Sequence, residues 1–519
     1  IGASIIASNI GSEHLIGLAG AGASSGMAMA HWEIQGWMIL ILGWVFVPFY
    51  TRSMVYTMPE FLERRYNPQS RTILSVISLV SYVLTKVAVT VYAGGLVFQQ
   101  VFGIKELWGI DFFWIAAIGL VVLTALYTIF GGMKSVLYTS VLQTPILLLG
   151  SLIILVLGFK ELGGWDEMMR VCGAVTVNDY GDTMTNLIRS NDDANFPWLG
   201  ALIGSAIIGF WYWCTDQFIV QRVLSGKNEM EARRGTIFGA YLKLLPVFLF
   251  LIPGMIAFAL HQKYIGAGGE GFLPMLANGT ANADAAFPTL VAKLLPAGVK
   301  GLVVCGILAA LMSSLASLFN SSAMLFTIDF YKRFRPETPE KKLVGIGQVA
   351  TVVIVILGIL WIPIMRSVGD VLYTYLQDVQ SVLAPGIAAA FLLGICWKRT
   401  SAQGGMWGLI AGMVIGLTRL GAKVYYSNAG EVADSTFKYL FYDMIRLFFC
   451  GWMFLFCIIV VIVVSLATKA PTAEKIQGLV FGTATKEQKA ATRASWNHWD
   501  IIHTVIILAI TGAFYWYFW

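Results

Sequence analysis

Residues 447–468 read LFFCGWMFLFCIIVVIVVSLAT, a run of 22 residues without a single Asp, Glu, Lys or Arg. As a helix rising 1.5 Å per residue it is about 33 Å long, enough to cross a hydrocarbon core of about 30 Å. Lipid offers backbone N–H and C=O groups no partner, so an unbroken apolar run of this kind crosses as a helix. Residues 501–519 repeat the pattern, with His503 as their one ionisable side chain. Over all 519 residues, 57% are hydrophobic and only 12% charged, with mean hydropathy +0.73. Soluble domains carry about 25% charged residues. The chain is therefore expected to be an all-α integral membrane protein, multi-pass in a plasma or inner cell membrane, with lipid as its surroundings.

About thirteen runs of spanning length are expected. They lie near 1–23, 28–50, 74–102, 112–130, 136–159, 198–222, 235–261, 295–331, 344–365, 371–396, 403–421, 440–467 and 501–519. The first begins at Ile1 inside an apolar run, so an earlier segment is expected to precede it. Lys and Arg collect in every second loop, as at Arg64, Arg65, Arg71, Lys134, Arg233, Arg234, Lys341, Lys342, Lys398 and Arg399. Those loops, and a longer one at about 468–498, are expected on the cytoplasmic side. The net charge of +6 is then a matter of topology and calls for no nucleic-acid partner. Six cysteines in no CxxC spacing give no disulfide framework or metal site, and the Asn278-Gly279-Thr280 triplet is too common by chance to weigh.

Function in such a chain is sought where polar groups lie at membrane depth. In ASNIGSEH (7–14), Asn9, Gly11 and Ser12 favour local unwinding that frees backbone carbonyls, or else mark a solvated helix end. Glu33, in AHWEIQG (30–36), is either interfacial or paired inside. FWYWCTDQ (210–217) reads as an interfacial aromatic belt or as a gate, with Tyr212 and Trp213 past the middle of their helix and Asp216 expected to pair near the exit in a network with Arg222. Lys243 either snorkels to the interface or meets a partner, and Gln377, Asp378 and Gln380 interrupt an apolar helix as a polar ligand would require. In AALMSSLASLFNSSA (309–323), small residues suit tight helix packing. Alternatively, the Ala310 carbonyl shares a helix face with the Ser313 and Ser314 hydroxyls, and with carbonyls from an unwound helix opposite would cage a hard cation.

These stretches, with TMPEFLERRYN (57–67), YTIFGGMKSVLYT (127–139), LKLLPVF (242–248), MSSLASLFNSSAMLFTIDFY (312–331) and FLLGICWKR (391–399), make the chain resemble the solute:sodium symporters along nearly its whole length. Within them it is most similar to the sodium/glucose cotransporters and the bacterial sodium/galactose symporter. The resemblance implies a LeuT-like inverted-repeat core of five plus five helices over 1–397, with repeats at about 1–160 and 198–397. A leading helix and the start of the first core helix are then expected to be missing, and additional C-terminal helices fill 398–519. It implies Na⁺ ligands at the carbonyls of Ala7, Ile10 and Ala310 and the hydroxyls of Ser313 and Ser314. Sugar contacts map to Asn9, His14, Glu33, Lys243 and Gln377, with Trp213 nearby and Tyr212 as the inner gate.

The function so implied is sodium-coupled symport of a neutral monosaccharide of the glucose/galactose type by alternating access, with a myo-inositol symporter as the alternative. Two positions depart from the pattern. Ser140 stands where the cotransporters carry an aspartate tied to a second sodium pathway, so one Na⁺ per sugar is expected. Gly209 stands where some members place a polar sugar contact. A channel would differ by sodium-independent flux and a sensor by a signalling domain, and no nucleophile–base or metal constellation suggests an enzyme.

Overall fold

The computed structural model describes residues 1–11, 13–276, 279–368, 372–428 and 434–519, with the side chains at 7, 84, 127, 129–144, 364–368 and 372–374 outside the description. Ser12, the Ser140 side chain and Asn278 thus fall outside the described residues. The described residues are mostly helical, with a two-stranded antiparallel ribbon pairing Glu106–Leu107 with Ile110–Asp111. Among the described residues, eleven helical stretches are long and apolar enough to cross a membrane, and the first, Glu13–Ser53, holds the length of more than one crossing.

The expected runs at 112–130 and 136–159 join into one continuous helix, Phe112–Leu162. The connecting sequence FGGMKSVLYTSV has no proline and no polar cluster long enough to force a loop, so the helical ladder runs on through it.

The opening helix, Gly2–Asn9, stops where the sequence turns to glycine and serine. Ile10 adopts φ −75° and ψ 93°, which carries its carbonyl out of the helical ladder, and the chain re-enters helix as a π-helical turn, Glu13–Leu18. Further π turns are at Tyr82–Val87 and Phe210–Thr215, followed in the latter case by extended Asp216 (ψ 127°). Each inserts a residue into an α-helix, and such insertions recur at functional sites because they re-aim side chains.

The long helix Ala297–Met324 packs along the break in the opening helix. Gly11 is required there, since a methyl at that position would overlap Ser314 Oγ and lie 3.2 Å from its Cβ.

The C-terminal helices Ala402–Asn428 and Arg446–Ala467 pack on Leu372–Cys396. The loop expected at 468–498 is ordered rather than free. It forms a short helix, Lys486–Ala494, with a Thr485/Gln488 capping box, and straps the bundle through Lys475 Nζ to Glu63 O (2.8 Å), Arg52 Nη2 to Thr492 Oγ1 (2.6 Å) and Ser495 Oγ to Glu229 Oε1 (3.2 Å).

Candidate functional site

Asn9, His14, Glu33, Tyr212, Trp213, Lys243 and Gln377, scattered over 369 positions of sequence, line one cavity. Each arrives by a different local device. Asn9 is the last residue of the opening helix and His14 sits on the π turn that follows the break. Glu33 ends a four-residue helix, Ala30–Glu33, and Tyr212 and Trp213 stand on the π turn Phe210–Thr215. Lys243 caps the helix Glu229–Leu242, three residues before Pro246.

Lys243 does not snorkel. It is 2% exposed, and its ammonium donates to Glu33 Oε2 at 2.5 Å and to Asn9 Oδ1 at 3.3 Å, 5.3 Å from the centre of the Trp213 ring. Glu33, 1% exposed, is likewise no interfacial residue, since the same Oε2 faces His14 Nε2 at 3.1 Å. The two charges are buried together and neutralise each other, as burial at such depth requires.

Asn9 Nδ2 donates to Tyr212 OH at 3.1 Å, so the aromatic ring is tied to the broken helix. Tyr212 and Trp213 meet edge to face at 5.0 Å. Three buried polar atoms on the wall have no hydrogen-bond partner among the described residues: His14 Nδ1, Trp32 Nε1 and Gln377 Oε1.

Asp216 meets a different partner from the Arg222 network expected of it. The carboxylate does not emerge into a vestibule with Arg222; it is 4% exposed and pairs with Lys86 Nζ at 2.6 Å and Tyr82 OH at 2.7 Å. Arg222 donates instead to Phe218 O. The reason is the helix break at Asp216, which turns its side chain back to cap Phe218 N (3.1 Å) and toward the helix bearing Tyr82 and Lys86. Lys86 Nζ lies 4.9 Å from the centre of the Tyr212 ring, outside the cavity. A lysine inside the apolar run 74–102 was the available signal for this pair, and it was missed. Gln380, read from sequence with Gln377 as facing a polar ligand, also lines the cavity, as do Trp32, Gln35 and Glu13, for which no solute contact was expected.

The five residues assigned to sodium fall on two facing segments. Ala310, Ser313 and Ser314 are all buried on the helix Ala297–Met324, opposite the break that carries the Ala7 and Ile10 carbonyls. Ser314 Oγ donates to Ser8 O at 3.5 Å, and Ser8 Oγ lies 3.4 Å from Ser317 Oγ. The donor set is hydroxyl and carbonyl oxygen, the chemistry hard cations take. Removing one such oxygen is expected to matter: Ser314→Ala should raise the sodium concentration needed for half-maximal uptake about tenfold or more, read from uptake against sodium.

A helical membrane bundle with a broken helix beside a buried polar cavity is the build of an ion-coupled carrier. The particular class follows from comparison. The sodium:solute symporter family profile matches residues 1–412, and the chain belongs to that family. It is 36% identical to the sodium/myo-inositol cotransporter 2 of Homo sapiens over 503 residues, covering 93% of this chain and 72% of that protein. To the sodium/glucose cotransporter 1 of Ovis aries it is 39% identical over 487 residues, covering 90% and 72%.

Among solved structures, a substrate-bound outward-open Na⁺-coupled sialic acid symporter matches with TM-score 0.70 at 20% identity, covering 91% of this chain and 90% of that one. MhsT in complex with L-phenylalanine matches with TM-score 0.51 at 12% identity, covering 89% and 97%. The protein is thus a multi-pass sodium-coupled solute symporter of LeuT-like inverted-repeat fold, a transporter rather than an enzyme, with Na⁺ as its coupling ion.

Proposed function

We propose that the chain imports a neutral, hexose-sized polyhydroxylated solute with sodium, a monosaccharide of the glucose/galactose type in the first reading, by alternating access. One observation carries this: the cavity's lysine and glutamate neutralise each other, while His14 Nδ1, Trp32 Nε1 and Gln377 Oε1 stand ready for a group that both donates and accepts. Hydroxyls do both, and the Tyr212 and Trp213 rings suit the apolar face of a sugar ring. An anionic solute would meet Glu13 and a lysine whose charge is already spent. The other reading, myo-inositol, offers the same hydroxyl chemistry and is favoured by the relatives named for that transport.

In this reading sodium sits between the Ala7 and Ile10 carbonyls and Ala310, Ser313 and Ser314. It ties the broken helix to the serine helix, which orders Asn9 and His14 for the solute; linkage then requires the solute to tighten sodium equally. One Na⁺ per neutral solute moving through 100 mV contributes about 2.3 kcal/mol, a concentration ratio of about fifty. Tyr212 closes the solute site from the cytoplasmic side.

Uptake into proteoliposomes of labelled glucose, galactose and myo-inositol, with and without a sodium gradient, tests the reading. Sodium-dependent uptake of at least one, carrying one charge per solute, is expected. Gln377→Ala should raise the solute KM about tenfold while sodium binding survives. Equal uptake without sodium, or uptake confined to anionic solutes, would overturn it.

A further inference from the structure

Gly209 and Gln35 form an arrangement that the polar cluster above does not use. Both line the cavity, from segments far apart in sequence. Gly209 closes the helix Trp198–Gly209 one turn before Tyr212, and Gln35 lies between the helices Ala30–Glu33 and Gly36–Ile41. A Cβ at Gly209 would overlap Gln35 Oε1 and lie 2.9 Å from its Cδ and 3.2 Å from its Nε2. The Gln35 carboxamide therefore occupies the space that any side chain at Gly209 would take.

That carboxamide is also oriented. Gln35 Nε2 donates to Ser205 O at 2.8 Å, one turn before Gly209 on the same helix. A carbonyl oxygen accepts only, so the nitrogen must face Ser205 and Oε1 must point away from it, along the face of Gly209. The side chain is 2% exposed, and Oε1 accepts no hydrogen bond among the described residues. A buried amide held at one end and unspent at the other is built to meet a ligand.

We propose that Gln35 is a substrate-contacting residue that sets selectivity, its carboxamide admitted by the absence of a side chain at Gly209 and aimed by Ser205, with Oε1 accepting a hydrogen bond from one hydroxyl of the transported solute. The inference rests on the polyhydroxylated-solute reading and adds to it a position-specific demand. A site that accepts from one particular hydroxyl discriminates against the analogue lacking it, because its acceptor is then left buried and unpaired. Gly209 belongs to the same device: a methyl there evicts the carboxamide without touching the charged pair.

The test uses the full chain in proteoliposomes with D-glucose, D-galactose and myo-inositol, and then the monodeoxy analogues of whichever is carried. Wild type should discriminate against one monodeoxy analogue about tenfold or more. Gln35→Ala and the near-isosteric Gln35→Met should raise KM for the parent solute about tenfold and abolish discrimination at that one position, with maximal rate and sodium dependence unchanged. Gly209→Ala should reproduce the Gln35→Ala phenotype, and the double variant should be no worse than either single one. The inference is overturned if Gln35→Met keeps the wild-type pattern across all analogues, if wild type shows no such pattern, or if Gly209→Ala leaves KM unchanged. If wild type carries none of D-glucose, D-galactose and myo-inositol, the solute-class reading fails instead, and the two failures are separate observations.

Discussion

Glu33→Ala is expected to abolish sodium-coupled uptake and lower stability at once. Glu33 Oε2 faces both Lys243 Nζ and His14 Nε2, and removing it leaves an ammonium that is 2% exposed with only a neutral amide at 3.3 Å. Breaking a buried pair by deleting one partner costs about 3–5 kcal/mol, because the surviving charge stays buried and uncompensated. Over the same change the cavity loses an acceptor and gains a net positive charge, so solute affinity should fall more than a hundredfold.

The uncharged double variant Glu33→Gln, Lys243→Met separates the two effects. Replacing both members with neutral groups of similar size restores folding in comparable pairs, so thermal stability should recover while uptake stays absent. Near-wild-type uptake by Glu33→Ala would sink the assignment of this pair to the solute site.

Asp216→Ala is expected to act differently. Asp216 and Lys86 do not line the cavity, yet Lys86 Nζ is held 4.9 Å from the Tyr212 ring centre and 3.8 Å from that of Phe218. The alanine variant leaves Lys86 unpaired at 3% exposure and deprives the Tyr82 hydroxyl of its acceptor, a loss of about 3–5 kcal/mol. Because the pair supports a ring that lines the cavity, the maximal rate should fall more than tenfold while the solute KM changes less than about threefold. Initial rates across a solute concentration series decide it. A rise in KM with an unchanged maximal rate would show instead that Asp216 serves solute binding directly.

The two predictions differ in how far they were legible beforehand. Glu33 and Lys243 were each visible as ionisable residues in apolar runs, but each also admitted an interfacial reading, which only their mutual contact removes. Lys86 carries the same signal inside the run 74–102, and a network of Asp216 with Arg222 is what a helix emerging near the exit would favour. The helix break at Asp216 turns the carboxylate inward to Lys86 instead, where it is buried rather than at an exit.

Hydropathy determined where the membrane helices lie. It is a local property that sums along the chain, and transfer to lipid responds to each segment on its own. The small residues of Ala310–Ser314 and the polar residues of the first run were likewise legible one by one. What only the tertiary structure decided is partnership. Lys243 and Glu33 are 210 positions apart and Lys86 and Asp216 are 130, and the Gln35 carboxamide meets Gly209 from a distant segment. Burial makes an unpaired charge or amide costly, but that cost names no partner; helix packing supplies it by bringing distant segments within hydrogen-bond reach.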